Sequence, residues 1–148
     1  MGDALLERGT QLAALAGMLA EVRASSSGRL VAVGGEAGVG KTALLQCFCR
    51  AEVPAGHALW GACAPLRTPR PLGPLVDVAD GIGGEFEQVV TAAGRPHEVV
   101  GALLRELRRR ALTVLVLEDL QWADEATIDV LALLSTRIAT APALVLVS

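Results

Sequence analysis

The glycine-rich segment GGEAGVGKT, residues 34–42, contains the residue types that bind phosphate. It fits the pattern G-x-x-x-x-G-K-[ST] at every fixed position. Glycines let the backbone curl so that its N–H groups face phosphate oxygens, and the threonine hydroxyl can contact Mg²⁺. The alternative is a glycine-rich turn between a strand and a helix. We predict a nucleotide-binding loop whose contacts come from Gly35, Glu36, Ala37, Gly38, Val39, Gly40, Lys41, Thr42 and Ala43.

Lys41 is the only lysine in the sequence, although lysine and arginine together number 13. On a solvated surface the two side chains serve similarly, but at a phosphate loop they are not interchangeable, because the guanidinium is planar and wide whereas the ammonium is compact. A slim lysine can pass beside glycines and reach the β- and γ-phosphates. We therefore predict that Lys41 both binds the nucleotide and acts in catalysis.

A second segment, VLVLEDLQWAD at residues 114–124, places two acids directly after an apolar run. A strand with this pattern carries its first acid to the carboxyl edge of a parallel sheet, which is where ligands bind in open α/β folds. We predict that Glu118 holds Mg²⁺ through water, that the Thr42 hydroxyl also contacts the metal, and that Asp119 polarises the attacking water. A solvated strand end without a function is the alternative.

The elements that must position these residues follow from hydrophobic periodicity. Strands are expected at residues 29–33, 57–64, 112–119 and 143–148, and the third should be buried on both faces because it is a continuous apolar run that ends in two acids. Helices are expected after Thr10 as N-cap, from Lys41, on either side of GIGG (81–84), from Pro96, and after Asp124 as N-cap. Residues 65–74, PLRTPRPLGP, read as an irregular loop.

This alternation predicts a three-layer α/β fold of the P-loop NTPase type with a mostly parallel sheet. Residues 1–28 would form an N-terminal helix and linker leading into the domain. Residues 29–148 would form the P-loop ATPase core. Because the chain ends in or just after a strand, we expect this core to be truncated.

Composition excludes several functional classes. The net charge is −3 and the isoelectric point is near 5.4, so this segment lacks the basic face that nucleic-acid contact requires. The apolar runs are too short to span a bilayer, and the N-terminus lacks the layout of a secretory signal, so we expect a cytoplasmic location without membrane association. The three cysteines, Cys47, Cys49 and Cys63, have neither disulfide nor zinc spacing and are expected to be small buried hydrophobes.

Four segments together resemble one family: LLERGTQLAAL, GEAGVGKTALL, GAC followed by TPRPLGPLVDVA, and VLVLEDLQWADEATIDVLALL. The sequence is similar to the AAA-like ATPase domain of the STAND class, as found in large ATP-binding regulators of the LuxR type. The resemblance covers nearly the whole chain. It implies ATP as the nucleotide, with Mg²⁺, and a switch in which ATP binding and slow hydrolysis control the assembly or exposure of an output domain.

The resemblance also implies particular residues and partners. Arg8 matches the arginine of an N-terminal motif that lies near the nucleotide base, although Glu7 replaces the usual preceding glycine; a surface arginine before a helix is the alternative. Glu118 stands where many members have Asp, and Asp119 is shorter than the usual catalytic Glu. The sensor, the lid and the C-terminal regulatory and helix-turn-helix domains of the family are not found in this chain. Nucleotide-dependent self-association is a further expectation.

Two alternatives remain at this point. One is a non-hydrolysing ATP-binding fragment or scaffold. The other is the ATPase module of a signalling protein linked to a cyclase or a kinase, since related domains occur beside both.

Overall fold

The computed structural model describes the backbone of residues 2–35 and 40–148 and the side chains of residues 7–35 and 40–148. The helices are α1 (Gly2–Ser25), α2 (Lys41–Glu52), α3 (Gly73–Ile82), α4 (Gly84–Thr91), α5 (Pro96–Arg109) and α6 (Glu125–Arg137). The strands are β1 (Arg29–Ala32), β2 (Ala58–Ala62), β3 (Thr113–Glu118) and β4 (Ala143–Val147). Short 3₁₀ turns occupy Leu120–Trp122 and Ile138–Thr140.

The four strands form one parallel sheet in the order β1-β4-β3-β2. Every residue of β3 except the last is buried, as expected for a strand covered on both faces. Alternate strand residues enter two separate cores, because successive side chains of a strand point to opposite faces. Leu115 and Leu117 pack with α3, α4, α5 and α6, whereas Val114 and Val116 pack with α1 and α2. These two helical layers around a parallel sheet confirm the predicted three-layer α/β fold.

Several predicted boundaries are wrong. Thr10 is not an N-cap, because α1 already begins at Gly2 and Thr10 lies inside it. The proline-rich loop ends earlier than predicted, since Gly73 and Pro74 form the start of α3, where the first turn tolerates a proline without an N–H. The break between α3 and α4 is confined to Gly83 (φ 70°) and does not extend over the whole GIGG segment.

The expectation for the cysteines holds in part. Cys49 and Cys63 are buried, but Cys47 is exposed. Burial raises the pKa of the Cys49 thiol to about 11. Within the described residues, no helix is both long enough and apolar enough to cross a membrane.

Basic residues at the end of α5 hold that helix to its neighbours. Arg105 makes a two-bond contact with Glu85 of α4, and Arg108 donates to the backbone and side chain of Thr140. Arg110 donates to the carbonyl oxygen of Gly81 at 2.7 Å. The basic run RELRRR therefore has structural partners within the fold.

Candidate functional site

The two motifs lie at the carboxyl edge of the sheet, on strands that are separated by β4. In the register of the sheet, Ala32 of β1 and Leu117 of β3 both align with Val147 of β4. Backbone hydrogen bonds continue past the strands, from Val33 N–H to Val147 O at 2.8 Å and from Ser148 N–H to Leu117 O at 3.0 Å. The chain leaving β1 and the chain leaving β3 therefore emerge side by side across one intervening strand.

One hydrogen bond of the lysine side chain joins the two described ends of the phosphate loop. Lys41 Nζ donates a hydrogen bond to the carbonyl oxygen of Gly35 at 3.1 Å, although the two residues stand at opposite ends of the loop. Gly35 and Gly40 both have positive φ, 137° and 81°, which glycine adopts without a steric penalty. Gly40 is the N-cap of α2, so the lysine and Thr42 occupy the first turn of that helix, where unpaired N–H groups favour anions. Residues Glu36, Ala37, Gly38 and Val39 lie outside the described residues.

Thr42 and Glu118 contact each other directly. The threonine Oγ1 donates to Glu118 Oε1 at 2.6 Å, across 76 positions of sequence. Both side chains are solvent-accessible, so the pair can be reached by a ligand. The structure thus brings a hydroxyl from the first motif and a carboxylate from the second to a single point at the sheet edge.

This donor pair fits Mg²⁺ when a nucleotide is bound. Mg²⁺ is usually held by one or two carboxylates together with phosphates and water, and seldom by a cage of protein groups alone. No group of three or more His, Cys, Asp or Glu side chains suited to a metal exists among residues 7–35 and 40–148. A hydroxyl and a single carboxylate oxygen at 2.6 Å are therefore the kind of partial ligand set that Mg²⁺ completes with phosphate oxygens.

Asp119 has an unusual backbone conformation at the end of β3. Its φ and ψ are 60° and 44°, the left-handed region that non-glycine residues seldom adopt. Two backbone bonds hold the turn that follows, from Leu120 N–H to Ser148 O at 2.9 Å and from Trp122 N–H to Asp119 O at 3.0 Å. Asp119 is exposed, and none of the described residues forms a hydrogen bond with its carboxylate.

Arg8 lies beside the start of α2. Its Nη2 atom donates to the carbonyl oxygen of Gly40 at 3.4 Å, a long hydrogen bond made by an exposed side chain. Arg8 lies inside α1, whereas the alternative interpretation placed it before a helix. The contact brings a guanidinium to the phosphate loop, and its predicted position near the nucleotide base stays a prediction.

Two aspartates hold the loop at residues 65–72, and the sequence did not predict this role. Asp77 accepts hydrogen bonds from Ala62 N–H at 3.1 Å and from Arg70 Nη2 at 3.0 Å. Asp124 was predicted only as an N-cap. It is the N-cap of α6, and its carboxylate also accepts from Leu72 N–H at 3.2 Å. The three partners belong to other segments than the aspartates, and Leu72 is 52 positions away from Asp124, so no local pattern identifies these contacts.

Cys63 lies close to this acidic group. Burial raises the pKa of its thiol above the usual range, and the negative charges of Asp124, Asp119 and Asp77 raise it further. The thiol therefore stays protonated at neutral pH and behaves as a buried apolar group.

Comparison with known proteins identifies the family. A family model described as AAA ATPase domain matches residues 4–147. None of the curated proteins compared with the sequence matches it significantly. Among solved structures, a chain from the structure of Drosophila ORC bound to DNA is similar, with a TM-score of 0.57 and 19% identity over 100% of this chain and 78% of that chain. At this identity, the likeness concerns the fold.

Proposed function

The chain belongs to the AAA ATPase domain family, and from this premise we propose that it binds ATP with Mg²⁺ and hydrolyses it slowly, acting as a switch in a LuxR-type regulator of transcription. The observation that supports ATP binding and hydrolysis is the hydrogen bond between Thr42 and Glu118, because it joins the two motifs that nucleotide hydrolysis needs. The regulatory role is proposed from the sequence resemblance. Residues 1–28 would be the N-terminal helix and linker, and residues 29–148 the ATPase core.

Binding would depend on the loop and the first turn of α2. The Lys41 ammonium would exchange its contact with Gly35 O for the β- and γ-phosphates, where charge-assisted hydrogen bonds are stronger. The backbone of residues 35–43 would surround the phosphates, and Arg8 would lie near the base. Thr42 and Glu118 would hold Mg²⁺, which neutralises charge on the β- and γ-phosphate oxygens when it is bound.

Hydrolysis would depend on Asp119. Its carboxylate directly follows the proposed metal-binding strand and has no hydrogen-bond partner among the described residues. It can therefore accept a hydrogen bond from water. Lys41 would stabilise the charge that develops on the phosphate oxygens as the bond to the leaving group breaks. We expect turnover to be slow because Asp119 reaches one methylene less far than a glutamate.

The non-hydrolysing alternative rests on the length of the Asp119 side chain. If the shorter Asp119 cannot place the water, the domain would bind ATP and change conformation without releasing phosphate. A cyclase- or kinase-linked protein would use either version of the domain. In each case, we propose that this segment makes no direct nucleic-acid contact, in line with its net charge of −3, that it is cytoplasmic, and that it self-associates in response to nucleotide.

The test separates binding from release. Calorimetry with Mg-ATP should show that Lys41→Ala weakens binding, whereas Arg50→Ala, which removes an exposed cation from the same helix, should leave it unchanged. Equal affinity of Lys41→Ala and the wild type would refute the phosphate-loop proposal. Asp119→Asn should bind ATP normally and lose single-turnover phosphate release. Binding without any release by the wild type would select the non-hydrolysing scaffold.

A further inference from the structure

The loop 65–72, between β2 and α3, meets the segment 119–124, between β3 and α6, at one carboxylate. The Leu72 N–H donates to Asp124 Oδ2 at 3.2 Å, and Thr127 Oγ1 donates to Asp124 Oδ1. Leu72 is only 1% exposed, and the Thr127 side chain is fully buried. The carboxylate thus joins two segments far apart in sequence, and neither contact is used by the nucleotide site.

The loop itself is anchored on its other side by Asp77. That carboxylate accepts from Ala62 N–H at the end of β2 and from Arg70 within the loop. Leu72 has a left-handed backbone (φ 56°), as Asp119 does (φ 60°). Left-handed conformations at non-glycine residues persist only where the surrounding structure holds them. Both segments that meet at Asp124 therefore depend on external contacts for their shape.

The segment 119–124 is bonded to the rest of the fold at both ends, and the Leu120 side chain also packs against the hydrophobic core. At its start, Leu120 N–H donates to Ser148 O, the last residue after β4. At its end, Asp124 supplies the bonds to Leu72 and Thr127. The 3₁₀ turn Leu120–Trp122 lies between these two ends, so loss of the Asp124 bonds leaves the turn held only at its start.

We propose that Asp124 is a positioning residue for the water-orienting Asp119. By bonding Leu72 and Thr127, it immobilises the turn 119–123 and joins the loop 65–72 to the segment that follows the metal-binding strand. This inference rests on the proposed hydrolysis, in which Asp119 orients the attacking water. As a consequence, the conformation of the loop 65–72 affects the rate of hydrolysis. The phosphate loop and the contact between Thr42 and Glu118 stay intact when the bonds to Asp124 are lost.

The role belongs to the hydrogen bonds and not to the charge, and asparagine separates the two. An Asn at position 124 can accept from Leu72 N–H with its oxygen and donate to Thr127 Oγ1 with its amide, so it keeps both contacts without the charge. Alanine loses both. Asp129 is exposed on the same helix, so Asp129→Ala removes an equal charge without touching the turn.

The experiment compares Asp124→Ala, Asp124→Asn and Asp129→Ala in the full chain. We expect Asp124→Ala to lower kcat about tenfold or more while the Kd for Mg-ATP stays within about twofold. Asp124→Asn should retain kcat within about threefold of the wild type, and Asp129→Ala should match it. A kcat for Asp124→Ala equal to that of Asp129→Ala overturns the proposal, and so does an Asn variant as slow as the Ala variant.

Amide hydrogen exchange provides a readout that does not need turnover. Asp124→Ala should accelerate exchange in residues 119–123, and Asp124→Asn should not. A wild type without phosphate release would defeat the proposed hydrolysis, but the exchange still decides whether Asp124 positions the turn, since unchanged exchange at 119–123 overturns that role. If Asp124→Ala does not fold, Thr127→Val removes one bond while filling a similar volume. Thr127→Val should likewise accelerate amide exchange at residues 119–123, and unchanged exchange in this variant would contradict the proposed role of Asp124.

Discussion

Replacing Gly40 by alanine tests the geometry at the start of α2. Gly40 has φ 81° and ψ 28°, and an added Cβ would lie 2.9 Å from Arg8 Nη2. The contact with Arg8 involves the far end of a flexible, exposed side chain, which can move away. The positive φ is a property of the backbone, and a left-handed conformation costs a residue with a Cβ about 1–2 kcal/mol. We therefore expect Gly40→Ala to destabilise the fold by about that amount.

Gly34 offers a matched control in the same loop. A Cβ there meets none of the described residues within 4 Å, and its φ is not in the left-handed region. Gly34→Ala should accordingly leave the unfolding free energy nearly unchanged. For a domain of this length, Gly40→Ala should lower Tm by about 2–8 °C, measured by calorimetry and by urea unfolding.

A double-mutant cycle with Arg8→Ala separates the two contributions to the destabilisation, backbone strain at position 40 and the contact of the new Cβ with Arg8. If backbone strain dominates, Gly40→Ala should cost nearly as much in the Arg8→Ala background, with a coupling energy below about 0.5 kcal/mol. A Gly40→Ala variant as stable as Gly34→Ala would refute the argument from φ. A cost that disappears in the Arg8→Ala background would show that the side-chain contact, and not the backbone, sets the requirement for glycine.

Three further predictions concern other parts of the chain. Thr42→Val removes the hydroxyl that donates to Glu118, so it should weaken binding of Mg-ATP more than binding of metal-free ATP, as calorimetry with and without Mg²⁺ would show. Gly61→Ala places a Cβ against the backbone of Pro74, with the carbonyl carbon at 2.8 Å; because backbone cannot swing aside, the urea midpoint should fall sharply, and an unchanged midpoint would contradict the close approach. Burial raises the pKa of Cys49 to about 11 from 9.0, because the folded protein favours the neutral thiol. The contribution of this thiol to the free energy of unfolding is therefore fully present below pH 9 and is lost as pH rises toward 11. In urea titrations over this pH range, Cys49→Ala should flatten the decline.

The sequence predicted the architecture well where the signal was local and periodic. The apolar run of β3 is buried as expected, and the positions of all four strands agree with the structure to within a few residues. Boundaries failed where two local signals competed. Thr10 has a good capping side chain, but helix-forming residues on both sides of it extend α1 back to Gly2. Gly81 and Ile82 continue α3 because Ile82 is buried in the core.

Cysteine burial could be predicted only in part, for a similar reason. Cys47 and Cys49 are two positions apart on α2, and such residues do not share a face of a helix. Cys49 therefore faces the core with Phe48 while Cys47 is exposed. The composition of the segment indicated buried cysteines, but the orientation of the helix decided which one was buried.

What the sequence determined by itself was the chemistry on offer. The spacing of Gly35, Gly40, Lys41 and Thr42, and the acids at 118 and 119, can be read without a structure because each motif is contiguous. Only the tertiary structure decided which groups meet. Insertion of β4 between β1 and β3 sets the distance across which Thr42 reaches Glu118, and packing of α3 and α6 brings Leu72 to Asp124. Strand order and helix docking arise from burial of apolar surface over the whole chain, so no local pattern specifies these contacts.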